Sequence, residues 1–288
     1  MKKLLLSTLF LMTASTMAMA APGYYSNMTP DEMNPTNPFY APKKGKGLVT
    51  FETAWMRYQD GTGENTYFET ANPVFFSGSY GVTDDFSVVL KINDEEGRSS
   101  YHSMVTGKLA SSPSVGVKYV SKMGKAMMAA EANYGFELSE GEYSESFDSV
   151  DGKVAVGFKE GDWTMAAFTK YIYMFDFRDS GSTNTRRMTG WYYGIDAQYQ
   201  MNPYVSLDLG WIRGAKGKVA YRYTSTFKAT NAVDTFHVGI TYPVFDKKIY
   251  LTPYAEYHKF SSHMKEMTAL YGGVKNASSY GIKVSMPF

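Results

Sequence analysis

The sequence predicts an all-β protein, a transmembrane antiparallel up-and-down β-barrel of about twelve strands. Apolar and polar residues alternate with a period of two through most of the chain after residue 46, which is typical of strands with two different faces. Short and long polar connections alternate between these segments, and an export signal precedes them. In such barrels the short turns are periplasmic and the longer loops extracellular.

Charge and cysteine content exclude several classes of protein. The chain has 29 Lys and Arg against 28 Asp and Glu, so bulk positive charge does not indicate a nucleic-acid partner. It has no Cys, which excludes disulfides and cysteine-based metal sites or nucleophiles. The aromatic content is 16% and the mean hydropathy is −0.32, which is too polar for a helical membrane protein.

The first twenty residues predict a signal peptide. Lys2 and Lys3 precede a short apolar stretch, and Ala18-Met19-Ala20 has the form of a cleavage site. A membrane anchor would need about twenty apolar residues, and this stretch is shorter.

Residues 21–46 form a tail that is rich in proline. Five of the eleven prolines of the chain lie here: Pro22, Pro30, Pro35, Pro38 and Pro42. Proline lacks the backbone donor that a sheet requires, so the tail is not a strand. Two interpretations stay open, an extended linker and an insert that folds into the barrel lumen or caps it.

The barrel itself is predicted for residues 47–288. Alternation is clearest in the segments 86–92, 114–120, 128–138 and 280–288. Short turns are expected at Gly81–Asp85, Lys122–Lys125, Lys159–Asp162, Met201–Tyr204 and Asp246–Lys248. Longer connections are expected at Asp60–Thr66, Asp94–Ser112, Ser139–Ser149, Arg178–Thr189, Gly214–Asp234 and Ser261–Ser279. Five turns and six loops join twelve strands, and an even number is typical of a transmembrane barrel.

A propeller and a soluble β-sandwich or lipocalin-like barrel are the competing folds. A propeller needs four short strands per repeat, whereas each period of about 40 residues here holds two long ones. Three features favour an apolar face turned outward to lipid. The polar face mixes glycines with isolated charges, strands such as 163–177 are long, and aromatic residues collect near strand ends, as at membrane interfaces.

The last strand resembles the terminal strand of bacterial outer-membrane β-barrel proteins of the porin-like kind. In such strands apolar residues alternate with other residues, and the last residue is commonly aromatic. Here the apolar positions are Tyr280, Ile282, Val284, Met286 and the final Phe288. The resemblance covers the signal peptide and residues 47–288. It implies a location in the bacterial outer membrane and recognition by the barrel-assembly machinery.

The polar faces of the strands predict a lumen lined by charges of both signs. The expected pore-lining residues are Lys91, Lys118, Glu131, Asp151, Lys153, Lys170, Asp196, Asp208, His237, Glu256 and Lys283. Turns at Glu160-Gly161, Asp246-Lys247 and Met123-Gly124 predict Asp151 opposite Lys170, His237 opposite Glu256, and Glu131 diagonal to Lys118. Such pairs either neutralise each other and stiffen the wall or form a charged screen.

Two further charge patterns have open interpretations. A three-residue turn near Pro203 would set Asp196 opposite Asp208, an unfavourable pair unless a cation or a proton intervenes. The third loop region is acidic, and the fourth and fifth are basic. These regions are either solvated rims that attract each other, or the basic side contacts lipopolysaccharide phosphates or steers anionic solutes.

No catalytic arrangement emerges from the four histidines. Outer-membrane phospholipases use a His and a Ser two residues apart on one strand, because that spacing puts both on one face. His102 is followed directly by Ser103, and neither His237 nor His258 has Ser two positions later. His263 follows Ser261 within a predicted loop. No phosphate-binding loop or metal-ligand spacing occurs, so neither a cofactor nor a metal is expected.

The sequence therefore predicts a narrow passive channel for small polar or charged solutes. Its expected partners are outer-membrane lipids, lipopolysaccharide, the assembly machinery and the solutes themselves. The alternative is a non-conducting barrel with a structural or surface-binding role.

Overall fold

The computed structural model describes residues 34–60, 67–71, 74–92, 113–136, 148–178, 185–202, 204–221, 226–229, 233–245, 248–260 and 276–288. Its strand segments are β1 (Gly47–Asp60), β2 (Tyr67–Ala71), β3 (Val74–Gly81), β4 (Phe86–Ile92), β5 (Ser114–Met123), β6 (Ala126–Gly135), β7 (Asp148–Glu160), β8 (Trp163–Arg178), β9 (Thr185–Gln200), β10 (Ser206–Tyr221), β11 (Thr226–Ala229), β12 (Val233–Val244), β13 (Ile249–Phe260) and β14 (Asn276–Pro287). Within these ranges no helix has the length and apolarity that a membrane-spanning helix needs.

The segments form twelve barrel strands. The number is twelve and not fourteen because β2 and β3 together make one barrel strand, and so do β11 and β12. The first two pair with successive parts of β1, and the other two pair with successive parts of β10. All neighbours are antiparallel, and β14 pairs with β1 from Leu48↔Pro287 to Tyr58↔Ala277. Because the sheet closes on itself, it has no open edge, as a membrane-spanning sheet requires. The predicted twelve-stranded up-and-down barrel is confirmed.

The apolar face of the strands points outward. Val115, Val117 and Tyr119 of β5 are each at least 40% exposed, and Ile195 of β9 is 56% exposed. The alternate residues of the same strands, such as Lys118, face the lumen. The sequence therefore places its apolar side chains where lipid tails, not a packed interior, would cover them.

Two tight turns set the register of the neighbouring strands. Gly124 and Gly161 have φ of +62° and +55°, and each occupies the first position of a two-residue loop between the pairs Met123↔Ala126 and Glu160↔Trp163. Glycine is favoured there because two-residue hairpin loops require a positive φ. The expected turns at Met123-Gly124 and Glu160-Gly161 were wrong by one residue, which shifts the pairing by two positions.

Candidate functional site

Residues 34–46, here called the N-terminal segment, begin inside the barrel and reach its short-turn end, where Lys44 and Gly45 are exposed. Asn34 donates to the Ser206 hydroxyl at 2.5 Å, Asn37 donates to Gln198 at 3.2 Å, and both asparagines are buried. For this part of the tail the extended-linker interpretation is wrong and the insert interpretation is right. Residues 21–33 and the signal peptide lie outside the described residues.

The shape of the segment follows from its repeated Asn-Pro dipeptides, which favour turns. The side chain of Asn34 accepts a hydrogen bond from the Thr36 backbone at 3.0 Å, and that of Asn37 accepts one from the Phe39 backbone at 2.9 Å. Such bonds from an Asn to the backbone two residues on stabilise a compact turn. The segment therefore forms two consecutive turns, closed by backbone hydrogen bonds from Asn37 to Asn34 and from Tyr40 to Asn37.

Phe39 anchors the segment in the lumen. It is 1% exposed and belongs to an apolar cluster with Val120, Met127, Ala129, Ala155, Ala166 and Phe168. A Cβ atom at Gly157 would lie 2.7 Å from the ring of Phe39, so the glycine leaves the space that the ring occupies. Beyond Phe39, the Lys44 backbone donates to Asp84 at 3.1 Å and the Gly45 backbone to the Gly81 carbonyl at 2.8 Å. The segment thus occupies the end of the barrel where the short turns lie.

A cavity of about 330 Å³ lies in the lumen, between the N-terminal segment and the barrel wall. Its ionisable lining residues are Lys118, Glu131, Lys153, Asp196, Asp208, His237, Glu256, His258 and Lys283. Eight of these were expected from the sequence. His258 was not, although it shares the face of Glu256 two residues away.

The other three expected residues form ion pairs with neighbouring wall residues. Lys91 contacts Glu131 at 2.5 Å, and Lys170 contacts Asp151 at 3.5 Å. Asn133 joins the two pairs, because it donates to Glu131 and to Asp151, both at 2.9 Å. This network contains the paired charges that the neutralising interpretation anticipates.

The register of this network differs from the one predicted. Lys170 lies opposite Lys153, not opposite Asp151, and Lys118 lies directly opposite Glu131, not diagonal to it. Both differences follow from the one-residue displacement of the turns. The expected pair of His237 and Glu256 is confirmed, with 3.3 Å between the His237 Nδ1 and a Glu256 oxygen.

Asp196 and Asp208 are not opposite each other. Asp208 pairs with Gln198, and Asp196 pairs with Gly210, because the connection between Gln200 and Ser206 is longer than the three residues expected. Asp208 accepts hydrogen bonds from Gln198 and Thr241, both at 2.7 Å, and from Thr36 at 3.1 Å. The geometry expected for a shared cation is therefore absent. The described residues contain no cluster of three or more metal-ligating side chains.

A buried polar cluster surrounds His258. Its Nδ1 lies 2.9 Å from the Thr235 hydroxyl, and its Nε2 lies 3.4 Å from the hydroxyl of Ser279 on the adjacent strand. Ser279 donates to Glu256 at 3.0 Å, so its hydrogen is not directed at the imidazole. A search for His and Ser on one strand misses this contact because it spans two strands.

Glu52 is a second interior charge that the sequence reasoning missed. It is 3% exposed, accepts a hydrogen bond from the Tyr254 hydroxyl, and lies 3.7 Å from the Lys283 Nζ. The alternation in the sequence already indicated this position. Glu52 follows the outward Phe51 and shares the inner face with Ala54, two residues further on. The pair joins the two strands that close the barrel.

The terminal strand has the arrangement expected of it. Tyr280 and Ile282 are exposed on the outer face, and Tyr280 stacks on Trp55 with 6.2 Å between ring centroids. The backbone of Phe288 exchanges two hydrogen bonds with that of Gly47, at 2.8 and 2.9 Å. The role of this strand as an assembly signal remains a prediction.

Comparison with known proteins identifies the fold. No protein-family model matches the chain, and no curated protein matches it significantly. An outer-membrane channel from Pseudomonas putida F1 superimposes with a TM-score of 0.65 at 13% identity, covering 88% of this chain and 99% of that one. A NanC porin structure gives a TM-score of 0.47 at 14% identity, covering 82% and 98%, too low to add to the argument. The chain has the fold of a bacterial outer-membrane β-barrel.

Proposed function

We propose that the protein is a narrow passive channel of the bacterial outer membrane for small polar or charged solutes. The observation that carries the proposal is the lumen cavity of about 330 Å³, lined by ionisable side chains of both signs inside a closed barrel. A wall of this kind replaces part of the hydration of a solute and filters by size and charge.

The N-terminal segment makes the proposed path narrow. It fills part of the lumen at the short-turn end, where Phe39 is buried against the wall. Solutes would pass beside it, through the cavity lined by Lys118 of β5, Asp196 of β9 and Asp208 of β10. This favours small solutes over the larger ones that an unobstructed twelve-stranded bore would admit.

The proposal is a transport function and not a catalytic one. Ser279 is fully buried in the barrel wall, so its hydroxyl is not accessible to a substrate as a nucleophile must be. Contacts with lipopolysaccharide and with the assembly machinery are parts of the same proposal. They are supported by the outward apolar face and by the aromatic Phe288, which follows β14 and bonds to Gly47.

The obstructed lumen favours a second candidate, a non-conducting barrel with a structural or surface-binding role. Conductance of the purified full chain in planar lipid bilayers separates the two. We expect discrete single-channel steps in KCl, together with entry of small solutes into proteoliposomes. Absence of both steps and solute entry in correctly folded protein would support the second candidate.

A further inference from the structure

A patch of charged side chains interrupts the apolar outer face of the barrel on β1, β10, β12 and β13. Among the outward strand side chains that the structure describes, only five are charged, namely Arg57, Glu160, Arg213, Asp234 and Lys259. Glu160 lies beside a turn, whereas the other four lie toward the opposite end of the wall and are here called the outer patch. We propose that the outer patch binds the phosphate groups of lipopolysaccharide. This inference rests on the lipopolysaccharide contact of the proposed function and names the site of that contact.

The outer patch lies at the height where the lipid tails of the outer leaflet end. Arg57 and Lys259 are each ten residues beyond the first residue of their strands, which lies at the short-turn end. At about 3.3 Å per residue and a tilt of about 40°, ten residues rise about 25 Å, the height of the apolar band of such barrels. Because the long loops are extracellular, the patch meets the headgroups of the outer leaflet.

A row of aromatic side chains lies directly below the outer patch, on the side of the short turns. Trp211, Phe236 and Tyr257 face outward, each two residues from a charged member of the patch on the same strand. Phe236 and Tyr257 are 49% and 44% exposed. Since aromatic rings prefer the boundary between lipid tails and headgroups, this row indicates the same height for the patch.

Asp234 holds the guanidinium of Arg213 at the centre of the outer patch. The strand register places Asp234 between Arg213 and Lys259. An oxygen of Asp234 lies 3.6 Å from the Arg213 Nη1 and accepts a hydrogen bond from the Trp211 Nε1 at 3.2 Å. One carboxylate between two cations leaves a surplus of one positive charge, and the Arg213 side chain remains 39% exposed. A guanidinium held in this way can donate to phosphate oxygens.

The spacing of the basic residues fits a headgroup with more than one phosphate. Lys259 lies two strands from Arg213 on one side and two strands from Arg57 on the other. Neighbouring strands are about 4.8 Å apart, so successive basic residues begin about 10 Å apart around the barrel. A phospholipid has one phosphate and engages one such position, whereas the diphosphorylated headgroup of lipopolysaccharide spans two. An anionic headgroup also offsets the cost of placing charges beside lipid.

Binding of lipid A, the phosphorylated anchor of lipopolysaccharide, to the full chain in detergent micelles tests this inference. Native mass spectrometry over a range of lipid A concentrations gives the Kd. We expect the Kd to rise about fivefold for each basic side chain removed, so Arg213→Gln, Lys259→Gln should weaken binding about 25-fold. Dephosphorylated lipid A has the same acyl chains, and its weaker binding should be equal for the unmodified chain and the double variant.

The matched control is Lys125→Gln, Lys248→Gln, which removes two exposed charges at the short-turn end and should leave the Kd unchanged. If the patch variant fails to fold, Lys259→Gln alone replaces it, because this side chain is exposed, and a fivefold loss is expected. Equal losses in the patch and control variants, or no loss in either, would overturn the outer patch as the site.

Three further results separate this inference from the rest of the proposal. Equal affinity of the unmodified chain for phosphatidylglycerol would assign the patch to phospholipid and overturn the choice of lipopolysaccharide. Absence of lipid A binding by the unmodified chain would overturn the lipopolysaccharide contact itself. Single-channel conductance tests the channel function independently and should be unchanged in the patch variant, because Arg213 and Lys259 face away from the lumen.

Discussion

Burial, not distance, decides what an ion pair contributes in this barrel. Lys91–Glu131 and Lys125–Glu160 both have 2.5 Å between charged atoms. The first pair is 18% and 12% exposed at its two side chains, and the second is 73% and 63% exposed. The chain thus contains a matched comparison between a lumen pair and a turn pair.

We expect Glu131→Gln to lower the free energy of unfolding by about 2 kcal/mol, because it removes the carboxylate partner of a largely buried ammonium. Glu160→Gln should have almost no effect, since water solvates an exposed charge. Urea unfolding in detergent, followed by tryptophan fluorescence, measures both. Equal effects of the two variants would show that the lumen is as well hydrated as the turns.

Lys153 is the residue that best tests charge selectivity. Lys170, another of the expected pore-lining residues, is 1% exposed and contacts Asp151, so a substitution there would disrupt a buried ion pair of the wall. Lys153 lines the cavity, with its Nζ 4.2 Å from the ring centroid of Phe168. Lys153→Glu should shift the reversal potential in a KCl gradient toward cation selectivity. An unchanged reversal potential, with conductance retained, would mean that ions do not pass this side chain.

Sequence alternation predicts the faces of interior residues but not their partners. Lys118, Glu131, His237 and Glu256 face the lumen as the period of two requires. The contact of His258 with Ser279 depends on the pairing of two strands, which the alternation within one strand does not contain. Partners therefore follow only once the register is known.

At the scale of the elements, register depends on where each turn begins. A displacement of one residue in a turn shifts the pairing by two positions, which preserves the face of every side chain and changes its neighbour. For this reason the expected residues lie on the inner face of the wall, while Asp151 and Lys170 were paired wrongly. The glycines at 124 and 161 held the necessary signal, because a positive φ favours Gly at the first loop position.

Hydrogen bonds of Asn34, Thr36 and Asn37 hold the N-terminal segment to the wall, and Phe39 and Ala41 make its apolar contacts. Composition indicated only that the segment is not a strand. Its docking depends on a pocket assembled from β5, β6, β7 and β8, and no single stretch of sequence displays that pocket. This is why the linker and the insert interpretations could not be separated before the fold was known.

We expect Phe39→Ala to raise single-channel conductance. Truncation of a buried Phe removes about 3 kcal/mol of packing, which favours release of the segment by about a hundredfold. Phe158→Ala is the matched control, because Phe158 is 48% exposed on the outer face beside Gly157. Planar-bilayer recordings compare the two. If Phe39→Ala leaves the conductance at the value of the unmodified chain, the segment does not limit the path.

For the molecule as a whole, closure and orientation follow from one property of the sequence. An alternating strand has an apolar and a polar face, and a closed barrel must turn one of them outward. The outer face carries Val154 in mid-strand at 47% exposure, and Val82 in a turn at 45%. These two valines are equally exposed, but only the first lies at the depth where lipid tails would surround the barrel.

Val154→Lys should therefore lower the free energy of unfolding in phospholipid vesicles by about 2–4 kcal/mol, the effect of a lysine facing lipid near the bilayer midplane. Val82→Lys should change it by less than about 1 kcal/mol, because a charge in a turn remains in water. Urea titration of the vesicle-embedded protein measures both, and heat-dependent mobility in gels verifies folding. If water instead surrounded the outer face, a lysine at 154 would be as harmless as one at 82. The difference between the two variants thus measures directly whether the apolar face meets lipid.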